Sequence, residues 1–187
     1  VPKFVWLILV AIMFAATIGA FLLHASREED AAERFNSALS SLQRLEREVR
    51  VRAATGGATL NARGWPSTID ADWFDGDPPL NPLVEHGRPW IEIASEREGD
   101  LLDPAIRQSV SRDVASFWYN PASGIVRARV GVEATDEQAL EIYNRLNGRG
   151  LITLFAGGEE GAAMTSPLVP PPAPARKGIQ TSANDND

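Results

Sequence analysis

Four aspartates, Asp70, Asp72, Asp75 and Asp77, stand within eight positions of the stretch TIDADWFDGDPPLNPLV that begins at Thr68. Carboxylates at this density suit a hard cation. Ca²⁺ takes about six to eight oxygens, which Asp70, Asp72, Asp75 and the carbonyls around Gly76 could supply. The spacing, however, is one residue longer than the start of an EF-hand loop, and no glutamate closes it. Trp73 and Phe74 fall inside the would-be cage, while Pro78, Pro79 and Pro82 imply extended backbone around it. The stretch is therefore expected to be a surface loop. Its aromatics, with Trp65, fasten it to a helix or sheet, and its aspartates are exposed charge; no metal-binding residue is assigned.

The other reactive side chains assemble into nothing sharper. His86 lies beside Glu85 in VEHGRP, and an acid–base pair there would need a third group to orient it. Ser109, Ser111 and Ser116 have no nucleophile-elbow context, and neither a phosphate-binding glycine loop nor a G-x-G-x-x-G is present. The chain has no cysteine and only two histidines, His24 and His86, which removes thiolate chemistry and Cys-ligated zinc. A net charge of −7 argues against a nucleic-acid partner. The expectation is a protein that is not an enzyme, with no catalytic or cofactor-binding residue, no cofactor and no small-molecule substrate.

The elements around these residues are more informative. Residues 4–23, FVWLILVAIMFAATIGAFLL, carry no charge. As a helix they would cover roughly 30 Å, the thickness of a bilayer's hydrocarbon core. A cleaved signal peptide would have a shorter apolar region of about 7–15 residues. Residues 1–25 therefore read as a retained single-pass transmembrane anchor, with the short N-terminal side inside and the rest of the chain outside.

No proline or glycine interrupts residues 20–54. Phe35, Ala38, Leu39, Leu42, Leu45 and Val49 recur at helical spacing, so residues 26–55 read as an amphipathic spine continuous with the anchor. Together they would make a helix of about 49 residues, roughly 74 Å long. The apolar stripe serves either a head of the same chain or, less simply, a short intermolecular coiled coil. Early acids (Glu28, Glu29, Asp30, Glu33) and late arginines (Arg44, Arg47, Arg50, Arg52) suit the helix dipole, with a stop near Gly56-Gly57. The arginine row starts roughly 30 Å beyond the span by helix rise, well past a Debye length of about 8 Å. It is thus a solvated face, or one turned to the acidic head or a partner subunit rather than to lipid.

After Gly57 the text changes to short strands and turns. PWIEIAS at residues 89–95 alternates like a strand. VASFWYNPASGIVRARVGV reads as a hairpin of residues 114–119 and 125–132 about the turn Asn120-Pro121-Ala122-Ser123-Gly124. On the returning strand Val126, Ala128 and Val130 share the covered face, with Ile125, Arg127 and Arg129 on the other. DEQALEIYNRLNGRG predicts a helix capped by Thr135 or Asp136, turning Leu140, Tyr143 and Leu146 inward and stopping at Gly148. Residues 151–155 are expected to add an edge strand. The fold class is α+β: a long N-terminal helix packed on a small antiparallel sheet, the head covering residues 56–155. Residues 156–187, rich in Gly, Pro and Ala with a Pro-rich patch at 170–174, read as a disordered tail.

This layout resembles that of type IV pilin-like proteins. The segments GWPSTIDADWFDGDPPLNPL, GRPWIEIA, ASFWYNPASGIVRARV and EQALEIYNRLNG resemble the head of pseudopilins of type II secretion systems, over about residues 4–150. The resemblance implies a non-catalytic membrane-anchored subunit of a type II secretion or type IV pilus-like machine. It would sit in the inner membrane with its C-terminal domain in the periplasm, and its partners would be the membrane and other pilin-like or secretion-machine subunits. It also implies that the Asp70–Asp77 loop could bind calcium, as in some major pseudopilins. The glutamate that pilins carry near the start of the span has no counterpart among residues 1–23. The alternative is a single-pass envelope scaffold or adaptor using a membrane-proximal coiled coil.

Overall fold

The computed structural model describes residues 3–133 and 135–155; the side chains of residues 3–11, 15, 16, 20, 22 and 23 are outside that description. The expected disordered tail, 156–187, lies outside the described residues.

One helix, α1, runs without a break over Lys3–Thr55, 53 residues or about 80 Å at helical rise. It ends where expected, at Gly56 with φ of 68°, a left-handed position that glycine adopts without a Cβ penalty. Along its second half Ala38, Leu42, Leu45 and Val49 form one stripe, each at most 3% exposed. Among the described residues no helix is long and apolar enough to cross a membrane. Most side chains of the expected span, residues 4–23, lie outside the described set.

The sheet has three strands, β1 (Ile91–Ile93), β2 (Phe117–Asn120) and β3 (Ile125–Ala128), in that order. β2 and β3 form the anticipated hairpin, with Trp118 opposite Arg127 and Tyr119 opposite Val126. β1 pairs with β2 in parallel, Ile91 opposite Phe117 and Ile93 opposite Tyr119, so the sheet is mixed rather than antiparallel. The reason lies in residues 94–116. A parallel neighbour needs a crossover of about a dozen residues or more, and this long irregular segment returns the chain to start β2 in the direction of β1.

The strands are shorter than the alternation suggests. Beyond Ala128 the backbone of Val130 exchanges hydrogen bonds with Arg107 and Ser109, so β3 changes partner and the ladder stops. Residues 151–155 form no strand; Phe155 makes a single isolated bridge to Ile106. At the hairpin turn, Gly124 has φ of 70° and donates to Asn120 O at 2.8 Å. A Cβ at Gly124 would also collide with the Trp65 ring, so the turn needs glycine for both conformation and space.

The second helix, α2 (Asp136–Asn147), is capped by the Thr135 hydroxyl, which accepts from Gln138 N, and stopped by left-handed Gly148. Ala139, Tyr143 and Leu146 face inward, while Leu140 is only half-buried. Phe117, Tyr119, Val126, Ala128 and Val130 offer one face of the sheet to both helices, making a single core with the α1 stripe. Trp118 is fully buried on the opposite face. The outer edge of β3 is closed by one side chain: the Asn147 amide accepts from Ala128 N at 2.8 Å and donates to Ala128 O at 2.9 Å. A side-chain amide thereby takes the place of a fourth strand, which blunts an edge open to unwanted pairing.

Candidate functional site

The aspartate loop is built by local backbone chemistry. Asp70 caps a short helical turn, Ala71–Phe74, by accepting from Asp72 N at 3.0 Å. Asp75 ends the turn at φ of 55°, a conformation that aspartate tolerates better than most residues. Asp77 reaches across to Arg44 of α1 at 3.3 Å. Among the described residues no three His, Cys, Asp or Glu side chains converge as metal ligands would. The aromatics are the fasteners: Phe74 is buried, meets Trp90 edge-to-face at 5.8 Å, and lies under the Arg44 guanidinium at 5.3 Å. Trp73 lies under Arg52, also at 5.3 Å.

The arginine row thus divides. Arg44 and Arg52 clamp the loop of their own head, while Arg50 pairs with Glu46 at 3.0 Å and Arg52 with Glu48 at 2.7 Å along the helix. Arg47 is exposed. Glu85 and His86 sit on an exposed turn, Ser111 is exposed, and Ser109 and Ser116 are buried.

The densest polar chemistry lies on the sheet face away from α1. Residues 98–106 run across it and are held by their carbonyls. The Asn120 amide donates to Glu98 O, Gly99 O and Leu101 O at 2.9–3.2 Å. Arg127 donates to Leu102 O, and Arg129 to Ile106 O at 2.7 Å. Arg129, 1% exposed, also reaches Ala115 O and the Glu92 carboxylate at 2.8 Å, tying β1 to β3. An irregular segment has carbonyls with no ladder to join, and guanidinium forks supply the missing donors.

Asp103 is the hub of this layer. Its side chain is 4% exposed, and it accepts from Arg127 Nε at 3.2 Å, Tyr143 OH at 2.9 Å, and Arg149 Nε and a terminal nitrogen at 3.0 and 2.9 Å. Sheet, α2 and the chain beyond it meet there. Burial first, and then the Asp103 charge, push the Tyr143 phenol far above its ordinary value. Burial alone does the same to Tyr119, whose hydroxyl donates to Pro66 O at 2.7 Å. At the start of residues 96–98 the Ser95 backbone N–H and hydroxyl hold the Glu98 carboxylate below its usual range.

The donors around Asp103 each tie one element to another, so the arrangement organises the head. Sequence reading missed this layer, assigning Arg127 and Arg129 to an uncovered face. The available signal was Trp118, opposite Arg127, since a tryptophan on that face requires a cover.

No known protein family, curated protein or solved structure matches this chain.

Proposed function

We propose that the chain is a non-catalytic, single-pass subunit with a pilin-like head, acting in a type II secretion or type IV pilus-like machine of the inner membrane. The observation that carries the anchored part is the nakedness of the front of α1. Ile12, Met13, Phe14, Ile18 and Phe21 are 45–72% exposed. Successive helix residues are about 100° apart, so Ile12, Met13 and Phe14 alone cover more than half the circumference. A helix apolar on all sides needs a cover on all sides. Taking five large side chains out of water is worth on the order of 5–10 kcal/mol, and within an uncharged stretch of twenty residues a lipid bilayer is the natural cover.

The pilin-like part rests on the same helix continuing without a joint into a stripe covered by a small sheet. The covered stripe also weighs against the scaffold reading. Ala38, Leu42, Leu45 and Val49 are the seam that a coiled coil would use, and their own head occupies it. The head would then stand in the periplasm, held to the membrane by α1.

Alkaline carbonate treatment tests the anchor: the full chain should stay with the membranes, and its release would end the reading. Deleting the gene should impair secretion or pilus function, with rescue by the full chain but not by residues 24–187. Full rescue by the truncated form would refute the anchored-subunit function.

A further inference from the structure

Between the bare front of α1 and its covered stripe lies a notch beneath the head. It has a volume of about 370 Å³ and is lined by Ala31, Ala32 and Phe35 of α1, with Leu83 and Ile142 as its apolar ceiling. Arg34 and Arg145 stand at its rim. Arg34 bonds only its own helix, to Asp30 O at 3.4 Å, among the described residues. The Arg145 guanidinium lies 4.7 Å from the Phe35 ring, and its nearest carboxylate, Glu141, is 3.9 Å away. The adjoining groove adds Arg88 and Arg112. The underside of the head thus carries four arginines against two acids, Glu133 lining the notch itself and Glu85 the adjoining groove.

The neck of α1 just in front is the reverse. Glu28, Glu29, Asp30 and Glu33 are all exposed, and only Glu28 has a partner, His24 at 3.5 Å, among the described residues. No part of the described head covers them.

We infer that the notch receives the acidic neck of a second copy of this chain, in a parallel, unstaggered pair. The inference rests on the anchored reading proposed above. Two copies held in one membrane bring like-numbered residues to like heights. The notch, at residues 31–36, then faces a neighbour's acids at 28–33, within about 5 Å along the axis. Ala31 and Ala32 let the two backbones approach closely. Lipid headgroups are the weaker occupant. Arg34 is eleven residues past Leu23, so about 16 Å beyond the hydrocarbon core, while headgroups extend only about 5–8 Å. The remaining gap is about one Debye length.

The chain has no cysteine, so paired cysteines report the contact directly. Differently tagged full-length copies carrying Ala32→Cys and Asn36→Cys, exposed uncharged positions of the notch, would be co-expressed and oxidised in isolated membranes. A cross-link between the two tags is expected, several-fold above that of Ala32→Cys paired with Arg63→Cys. It should weaken in about 1 M salt, where the Debye length falls to about 3 Å. No cross-link in chain that carbonate leaves in the membrane overturns this inference alone. A chain that carbonate releases overturns the anchor and the pair together. A cross-link that persists in high salt, or that requires anionic lipid, overturns the charge-matched pairing of copies.

Discussion

The two faces of the small sheet are covered by opposite means. On one, Phe117, Tyr119, Val126 and Ala128 meet the α1 and α2 stripes through apolar contact. On the other, Asn120, Arg127 and Arg129 hold an irregular segment through hydrogen bonds, those of the arginines charge-assisted, with Trp118 buried among them. Apolar packing is graded, since each lost methylene removes a little area and leaves a little cavity. A buried ionic layer is closer to all-or-none, because removing one member strands the others without water.

The comparison is most directly broken at Asp103. Asp103→Ala leaves Arg127 and Arg149 without their carboxylate and should cost about 4 kcal/mol in urea unfolding. A loss below about 1 kcal/mol would show the layer to be wet and forgiving. On the apolar side, Leu45→Ala should cost about 3 kcal/mol, whereas Leu45→Met should stay below about 1.5 kcal/mol. Finding the Met variant as damaging as Ala would contradict the graded picture.

Alkali tests the two buried tyrosines next. Both tyrosines bind their protons more tightly when folded, with ionisation favoured by unfolding. Their stabilisation is intact below the unfolded value near 10 and is lost as pH rises above it, with a slope of up to about 2.7 kcal/mol per pH unit for the two. The only lysines are Lys3 and Lys177, so no lysine of the described head blurs that titration. Tyr143→Phe should roughly halve the slope, and an unchanged slope would remove Tyr143 from the account. The smallest effects belong to the surface. Asp77→Asn, at an exposed pair with Arg44, should change stability by less than about 1 kcal/mol. Millimolar Ca²⁺ should leave the melting temperature unmoved, and a clear rise would restore the cation reading of the loop.

What the sequence made legible follows how local the signal is. The spine helix and its stop at Gly56, the Asn120–Gly124 turn, and the Thr135 and Gly148 caps are written in adjacent residues. So was the fastening role of Trp73 and Phe74. The direction of β1 was hidden, because it depends on how residues 94–116 cross the sheet, and no periodicity records that. Asp103 was invisible for a related reason: its partners are 24, 40 and 46 positions away. Arg127 and Arg129 alternate with valine and alanine as solvent-facing residues do, and only their distant carbonyl and carboxylate acceptors make them interior.

The unbroken course of α1 has a mechanical consequence. Its covered stripe lies lengthwise, parallel to any pull applied at the N-terminal end. Such a pull loads Ala38, Leu42, Leu45 and Val49 together, in shear, along with the clamps that Arg44 and Arg52 make to the loop. A helix meeting the sheet end-on would instead peel away one turn at a time. The head is joined to its spine in the geometry that resists traction best, and a force-extension measurement should find it stronger when pulled along α1 than when the sheet is pulled from its hairpin.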